Sequence, residues 1–271
     1  MKLLWMFLAV GVASPLAKPA PSPKKQLDDL LKEAWEFELR TQPESAKIYG
    51  DNRYNDKLSD YSMAAIQAND RQTKAFLERF EALDVASLSE QDQLSRELMV
   101  RNLRHSIENV RLKLYEMPID QFNGLHLQYA QLVSIFPFAT VKDYENYLAR
   151  LHQYPRMFDQ FIALGEAGER DGLMPPKFLL EKVVTQADAI AQNGGPFLEP
   201  LKKFPASISA ADQKRLRAAV EAAVRDEIQP AYHKFSQFVK DDYAPKGRLR
   251  EGMWSLPNGD ALYRYLVEAS T

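Results

Sequence analysis

At three places in this chain a Ser or Thr followed at the third position by Asp stands just ahead of an apolar run at helical spacing: Ser89 with Asp92, Thr140 with Asp143, and Ser209 with Asp212. Such a pair caps a helix start, because the hydroxyl can accept from one free N–H while the carboxylate reaches back to another. Each pair opens a segment whose apolar residues recur near the helical period. After Ser89 the stripe reads Leu94, Leu98, Leu103, Ile107, Val110 and Leu114, stopped by Pro118. After Thr140 it reads Tyr144, Tyr147, Leu148 and Leu151; after Ser209 it reads Leu216, Val220 and Val224 before Pro230, with a further helical segment from Ala231 to Tyr243.

The remaining segments follow the same rule. Leu27, Leu30, Leu31, Trp35 and Leu39 define a helix over residues 26–41, and Met63, Ile66, Phe76, Leu77 and Phe80 define a second. Met157, Phe158, Phe161, Ile162 and Leu164 mark another, closed by Gly172. Pro175–Pro176 leads into one carrying Phe178, Leu179, Val183 and Val184, which the run Asn193–Gly194–Gly195–Pro196 stops. PESAKIYGDNRYNDKLSDYS reads as an irregular loop holding Arg53 and Tyr54, and a Pro-Asn-Gly-Asp turn precedes a short C-terminal helix. No segment alternates in the manner of a strand. The expected fold is all-α, a multi-helix array of antiparallel helices forming a single domain over residues 26–271.

One stretch breaks the charge-laced pattern. Between Asp120 and Lys142 there is no Asp, Glu, Lys or Arg, yet the run holds Phe122, Tyr129, Phe136 and Phe138 beside Gln121, Asn123, His126, Gln128 and Gln131. Aromatic side chains there should face the interior. Buried amides without partners would cost about 1–3 kcal/mol each. Two readings remain open, the floor of a cleft and a core crossover whose amides bond to neighbouring backbone.

Residues 1–25 carry one early lysine, an apolar run from Leu3 to Ala13 and a Pro-rich spacer, the order of a secretory signal with cleavage after Ala13, Ala17 or Ala20. The run is too short for a comfortable permanent span, so a periplasmic or secreted protein without a stable membrane span is expected. With no cysteine, disulfides and a thiol nucleophile are excluded. A net charge of -2 gives no electrostatic reason to bind nucleic acid.

Catalytic signatures are missing. No His pair is spaced four apart around a Glu, and there is no GxSxG, GxGxxG or P-loop. His105 and Glu108 form an HxxE pair on one helix, which a surface ion pair explains as well as a metal does.

The succession PESAKIYGDNRYNDKLSDYS, MPIDQFNGLHLQ, FPFATVKDYENYLARL, GLMPPKFLLEKV, PFLEPLKKFPASISAADQKRL, IQPAYHKFSQFVKDDYAP and LPNGDALYRYLVEAST resembles the N-terminal half of a large bacterial family, domain of unknown function family 885. The resemblance covers nearly all of the chain after residue 25. It implies exported, mainly helical proteins about twice as long, similar to HExxH zinc metallopeptidases, whose ligands and general-base Glu lie in the C-terminal half. No catalytic or metal-binding residue, and no cofactor, therefore carries over to this chain; zinc is implied only for the complete family member. The resemblance also implies that the chain is the N-terminal part of a larger zincin-like fold, present as a truncated or split product. It places Gln121, Asn123 and His126, with Arg53 and Tyr54 in support, at a substrate cleft. The expected partners are a peptide-like substrate or the missing C-terminal half; a free-standing helical binding module of the cell envelope is the alternative.

Overall fold

The computed structural model describes residues 21–271, so the expected secretory signal, with its expected cleavage after Ala13, Ala17 or Ala20, lies outside the described residues. Among the described residues the chain is an all-α array. It has eleven α-helices and no strand, and a single isolated bridge joins Pro176 to Arg248.

The caps sit where the sequence places them. Thr140 forms the reciprocal box: its hydroxyl accepts from Asp143 N–H at 3.2 Å, and Asp143 Oδ2 accepts from Thr140 N–H at 2.9 Å, opening α6 (Val141–Leu151). Ser89 and Ser209 accept the N–H of Asp92 and Asp212 in the same way and open α4 (Glu90–Arg111) and α9 (Ala210–Ala223). In α1 (Pro23–Thr41) the helix begins earlier than the expected residue 26, because Ser22 caps it and Pro23 suits a first turn that needs no N–H.

Five expectations change. The segment read as a loop after Pro43 starts with a short helix, α2 (Pro43–Ile48), for which Pro43 is again a first-turn residue. In α4 the buried face is Val100 with Met99 and Leu103, whereas Leu94 and Leu98 are about half exposed at 48% and 49%. At about 100° per residue, Leu94 and Leu98 project opposite to Leu103 and Ile107, so the stripe merged two faces. Arg96 fixes the orientation by donating to the carbonyls of Phe80 and Glu81 from the inner side. The helix also stops at Arg111, where Lys113 turns left-handed (φ 56°) ahead of a 3-10 turn, Leu114–Glu116.

In α8 (Lys177–Asn193) the buried set is Leu180, Val183, Ala187 and Ile190, and Phe178 faces out. Finally, Pro230 does not interrupt the helix. A π turn, Val224–Ile228, joins α9 to α10 (Gln229–Phe238), and a second π turn, Val239–Tyr243, follows it. Proline removes one N–H and crowds the preceding turn; an inserted residue that widens the coil there is a known accommodation.

The largest core is built from α5 (Leu125–Gln131), α6, α7 (Tyr154–Asp171), α8, α9 and α10. Its centre is aromatic: Phe158 lies 4.5 Å from Tyr232 and 5.4 Å from Phe235, ring centre to ring centre. Buried phenols there find carbonyl acceptors, Tyr147 at Phe197, Tyr154 at Tyr129 and Tyr232 at His126, at 2.6–3.0 Å. A smaller core joins α1, α3 (Met63–Glu81) and α4, through Leu27, Leu30, Phe76, Phe80 and Val100. A third, small cluster ties Leu112 and Leu173 to Leu262 and Tyr265 of α11 (Gly259–Ser270). The space between the first two cores is where the candidate site lies.

Candidate functional site

A cleft of about 930 Å³ opens between the α1–α4 layer and the larger bundle. Its walls come from the C-terminal half of α1, from α2, α3 and α4, from Tyr265 of α11, and from the part of the uncharged run between Gln128 and Ile135. The two readings of that run are thus divided along its length. Residues after Gln128 line the cleft, whereas His126 is buried in the bundle.

At the cleft's inner wall Glu44 is 9% exposed and accepts three hydrogen bonds. Ser59 donates its N–H at 2.8 Å and its hydroxyl at 2.5 Å, and Tyr129 donates its hydroxyl at 2.9 Å. Because the Tyr129 proton goes to Glu44, the Tyr61 hydroxyl, 3.0 Å away, donates to Tyr129. Burial pushes Tyr61 up to about 12 and raises Tyr129 well above the usual phenol range. Both phenols remain neutral donors at physiological pH.

The strap carrying Ser59 and Tyr61 is held by side chains from the bundle. Arg150 donates to the carbonyls of Lys57 and Tyr54, and Gln153 donates to Asp56 carbonyl while accepting from Leu58 N–H. Gln160 accepts from Tyr61 N–H and donates to Asp60. Arg150 itself is 1% exposed, and its guanidinium lies 4.0 Å from the centre of the Phe136 ring. With no carboxylate bonded to it, burial lowers its pKa; carbonyls and the ring face compensate.

Two further carboxylates line the opposite side. The Glu38 carboxyl of α1 lines the cleft with no side-chain hydrogen bond or ion pair among the described residues, and burial raises its pKa. Asp70 of α3 accepts from Lys74 through Oδ2, while its Oδ1 is buried without a partner. His105 also lines the cleft, edge-on to Tyr265. Glu108 pairs instead with Arg111 at 2.6 and 2.7 Å, so the HxxE pair is not a joint site.

None of the five residues singled out in the sequence lines this cleft. His126 and Gln121 are bridged by Gln186, which accepts from His126 Nε2 at 3.2 Å and donates to Gln121 carbonyl at 3.0 Å. Burial lowers the His126 pKa, keeping the ring neutral, and its Nδ1 has no partner. Asn123 is exposed in a turn where Asp120 accepts from the N–H groups of Phe122 and Asn123. That turn throws Phe122 outward to 78% exposure, against the expectation that it faces the interior. A side chain at Gly124 would strike the Asp120 carbonyl, which is why glycine stands there. Arg53 sits on the surface, bonded to Glu36 and Asp51, with its guanidinium 5.4 Å from the Tyr54 ring. Glu38, Glu44, Tyr61 and Asp70 escaped the sequence reading. Only the uncharged run, through Tyr129, pointed towards them.

The arrangement offers fixed acceptors, neutral phenol donors and aromatic rings, the equipment for orienting a ligand. Among the described residues no three His, Asp or Glu side chains converge as a metal-ligand set. No described helix is long and apolar enough to cross a membrane.

Fold and cleft together define an all-α protein whose two helical layers frame an open groove lined by polar and apolar side chains. The chain belongs to the family described as "Bacterial protein of unknown function (DUF885)", which matches residues 43–271. Its fold is similar to the crystal structure of a Colwellia psychrerythraea protein described as a candidate lipoprotein, with a TM-score of 0.80 and 17% identity. That match covers 92% of this chain and 46% of the other, so the chain spans under half the length of the protein it resembles. No curated protein matches it.

Proposed function

We propose that the chain is the N-terminal, cleft-forming portion of an exported zinc-metallopeptidase-like protein, shaping a groove for a peptide-like substrate and lacking hydrolytic activity by itself. The observation that supports this most directly is the cleft, which sets the Glu44–Tyr129–Tyr61 hydrogen-bond chain beside open acceptors in a space of ligand size. The reading expects the zinc ligands of the HExxH type in the portion of the longer relatives that this chain does not span. The test is direct. The purified chain, dialysed against buffer, is assayed for zinc by mass spectrometry and for cleavage of a mixed peptide library; neither is expected. One zinc per chain together with cleavage would overturn the proposal.

A second reading, a free-standing helical binding module of the cell envelope, draws support from the large core. It closes around α5 to α10 with Tyr154, Phe197 and Tyr232 at no exposure. It predicts a sharp, cooperative thermal transition for the isolated chain and a partner that saturates it at one to one. A broad melt with dye-binding apolar surface counts against it.

A further inference from the structure

His126 is a buried titratable side chain that takes no part in lining the cleft, yet it stands on α5 one turn ahead of Tyr129, which does. Its neighbours fix where its proton lies. Gln186 donates its amide N–H to the Gln121 carbonyl at 3.0 Å, which turns its Oε1 towards the ring, 3.2 Å from His126 Nε2. An acceptor there puts the ring proton on Nε2, and Nδ1 is left as a buried acceptor without a partner. Gly124 closes that edge of the ring, since a Cβ there would lie 2.7 Å from Nδ1.

The surroundings favour the neutral form. From α10, Phe235 lies with its ring centre 5.4 Å from that of His126, and Tyr232 donates to the His126 carbonyl at 2.6 Å. Burial holds the Tyr232 phenol neutral, and α8 presents the neutral amide of Gln186. Asp120, on the preceding turn, is the charge that favours an imidazolium, but its carboxylate already accepts from the N–H groups of Phe122 and Asn123. A second proton would therefore set a cation, with its new N–H directed at Gly124, inside the bundle.

We propose that His126 is an acid-released latch on the cleft: the neutral ring holds α5 against α8 and α10, and a second proton frees the wall that continues from it, Gln128 to Ile135. The inference goes beyond the reading of the cleft as a peptide site and holds for any ligand, because whatever rests on Tyr129 and the residues after it is held less tightly by the acid form. Burial outweighs Gln186 and Asp120 and lowers the His126 pKa. A base lowered in the folded state contributes stability that is fully present above its unfolded value, about 6.5, and is lost as pH falls from there to the folded value. Within that window the opening of the wall grows about tenfold per pH unit.

The test follows hydrogen–deuterium exchange of the whole chain between pH 8 and pH 5, with rates taken relative to unstructured peptides so that the intrinsic pH dependence cancels. Protection over residues 125–135 should fall about tenfold further than protection over α7. In NMR titration of the same chain, the His126 ring should protonate below about 6.5. His126→Gln keeps an N–H for Gln186 and cannot titrate, so it should abolish the fall, whereas His105→Gln, His152→Gln and His233→Gln should each retain it. Protection over 125–135 that ignores pH, or a His126 ring that protonates at or above the ordinary value, overturns the inference whether or not His126→Gln folds. A fall that persists in a folded His126→Gln variant overturns the role of His126. The zinc and peptide-cleavage assays are unaffected by either result.

Discussion

At the scale of single residues, the buried polar groups carry the sharpest expectations. Tyr129 links Glu44 to Tyr61 through one hydroxyl, so Tyr129→Phe strips a donor from a buried carboxylate and an acceptor from a second phenol. A loss of about 1–3 kcal/mol in urea unfolding is expected, with a smaller one for Tyr61→Phe, which leaves the Tyr129–Glu44 bond intact. Glu116 behaves oppositely. It is 3% exposed, one carboxylate oxygen has no partner, and Lys113 stands 3.8 Å away. Burial, reinforced by the charge of Asp171, raises its pKa. A carboxyl raised in the folded state contributes stability that is present below its unfolded value, about 4.3, and is lost as pH rises through the folded value. Glu116→Gln should therefore unfold at a higher urea midpoint than the unaltered chain at pH 8, with the advantage shrinking towards pH 4. An unchanged gap between the two pH values would contradict this.

At the scale of elements, the helix starts are local events and could be read from a few residues. Thr140→Ala should cost about 1 kcal/mol by removing one half of the box that opens α6, measured by thermal or urea melts. The faces of the helices are a different matter. Leu94 and Leu98 look like core residues by spacing alone, and only the packing of α4 on α1 and α3 decides that Val100 and Leu103 turn inward. Pro230 looked like a stop because the period was assumed constant, and the π turn Val224–Ile228 absorbs it by adding a residue to the coil. Deleting exposed Asp226 should close this turn to α-helical register with Tyr232 and Phe235 kept on the core face, but it places Pro230 in a regular α turn, at a cost of about 3 kcal/mol in urea unfolding. An unchanged midpoint would show that the wide turn is dispensable.

At the scale of the whole molecule, the all-α array was legible because the long helices announce themselves locally, while the short α2 and α5 do not. The candidate site was not, since its parts converge from remote positions: Glu44 and Tyr129 lie 85 residues apart and meet only when the two layers face each other. The layers differ in what holds them. The α1–α4 core is small beside the aromatic core of α5 to α10, so native-state hydrogen exchange should show α1 and α3 opening at lower free energy than α7 and α10. Equal protection of both would mean that the cleft is spanned by a single cooperative unit.

The strap over residues 54–61 lets this architecture vary. Arg150, Gln153 and Gln160 bond the carbonyls of Tyr54, Asp56 and Lys57 and the N–H groups of Leu58 and Tyr61, which are backbone atoms that every residue but proline supplies in full. Its course over the bundle is thus set largely by residues it does not contain. The side chains that it turns towards the groove can therefore be exchanged while its path is retained, without rebuilding the scaffold beneath.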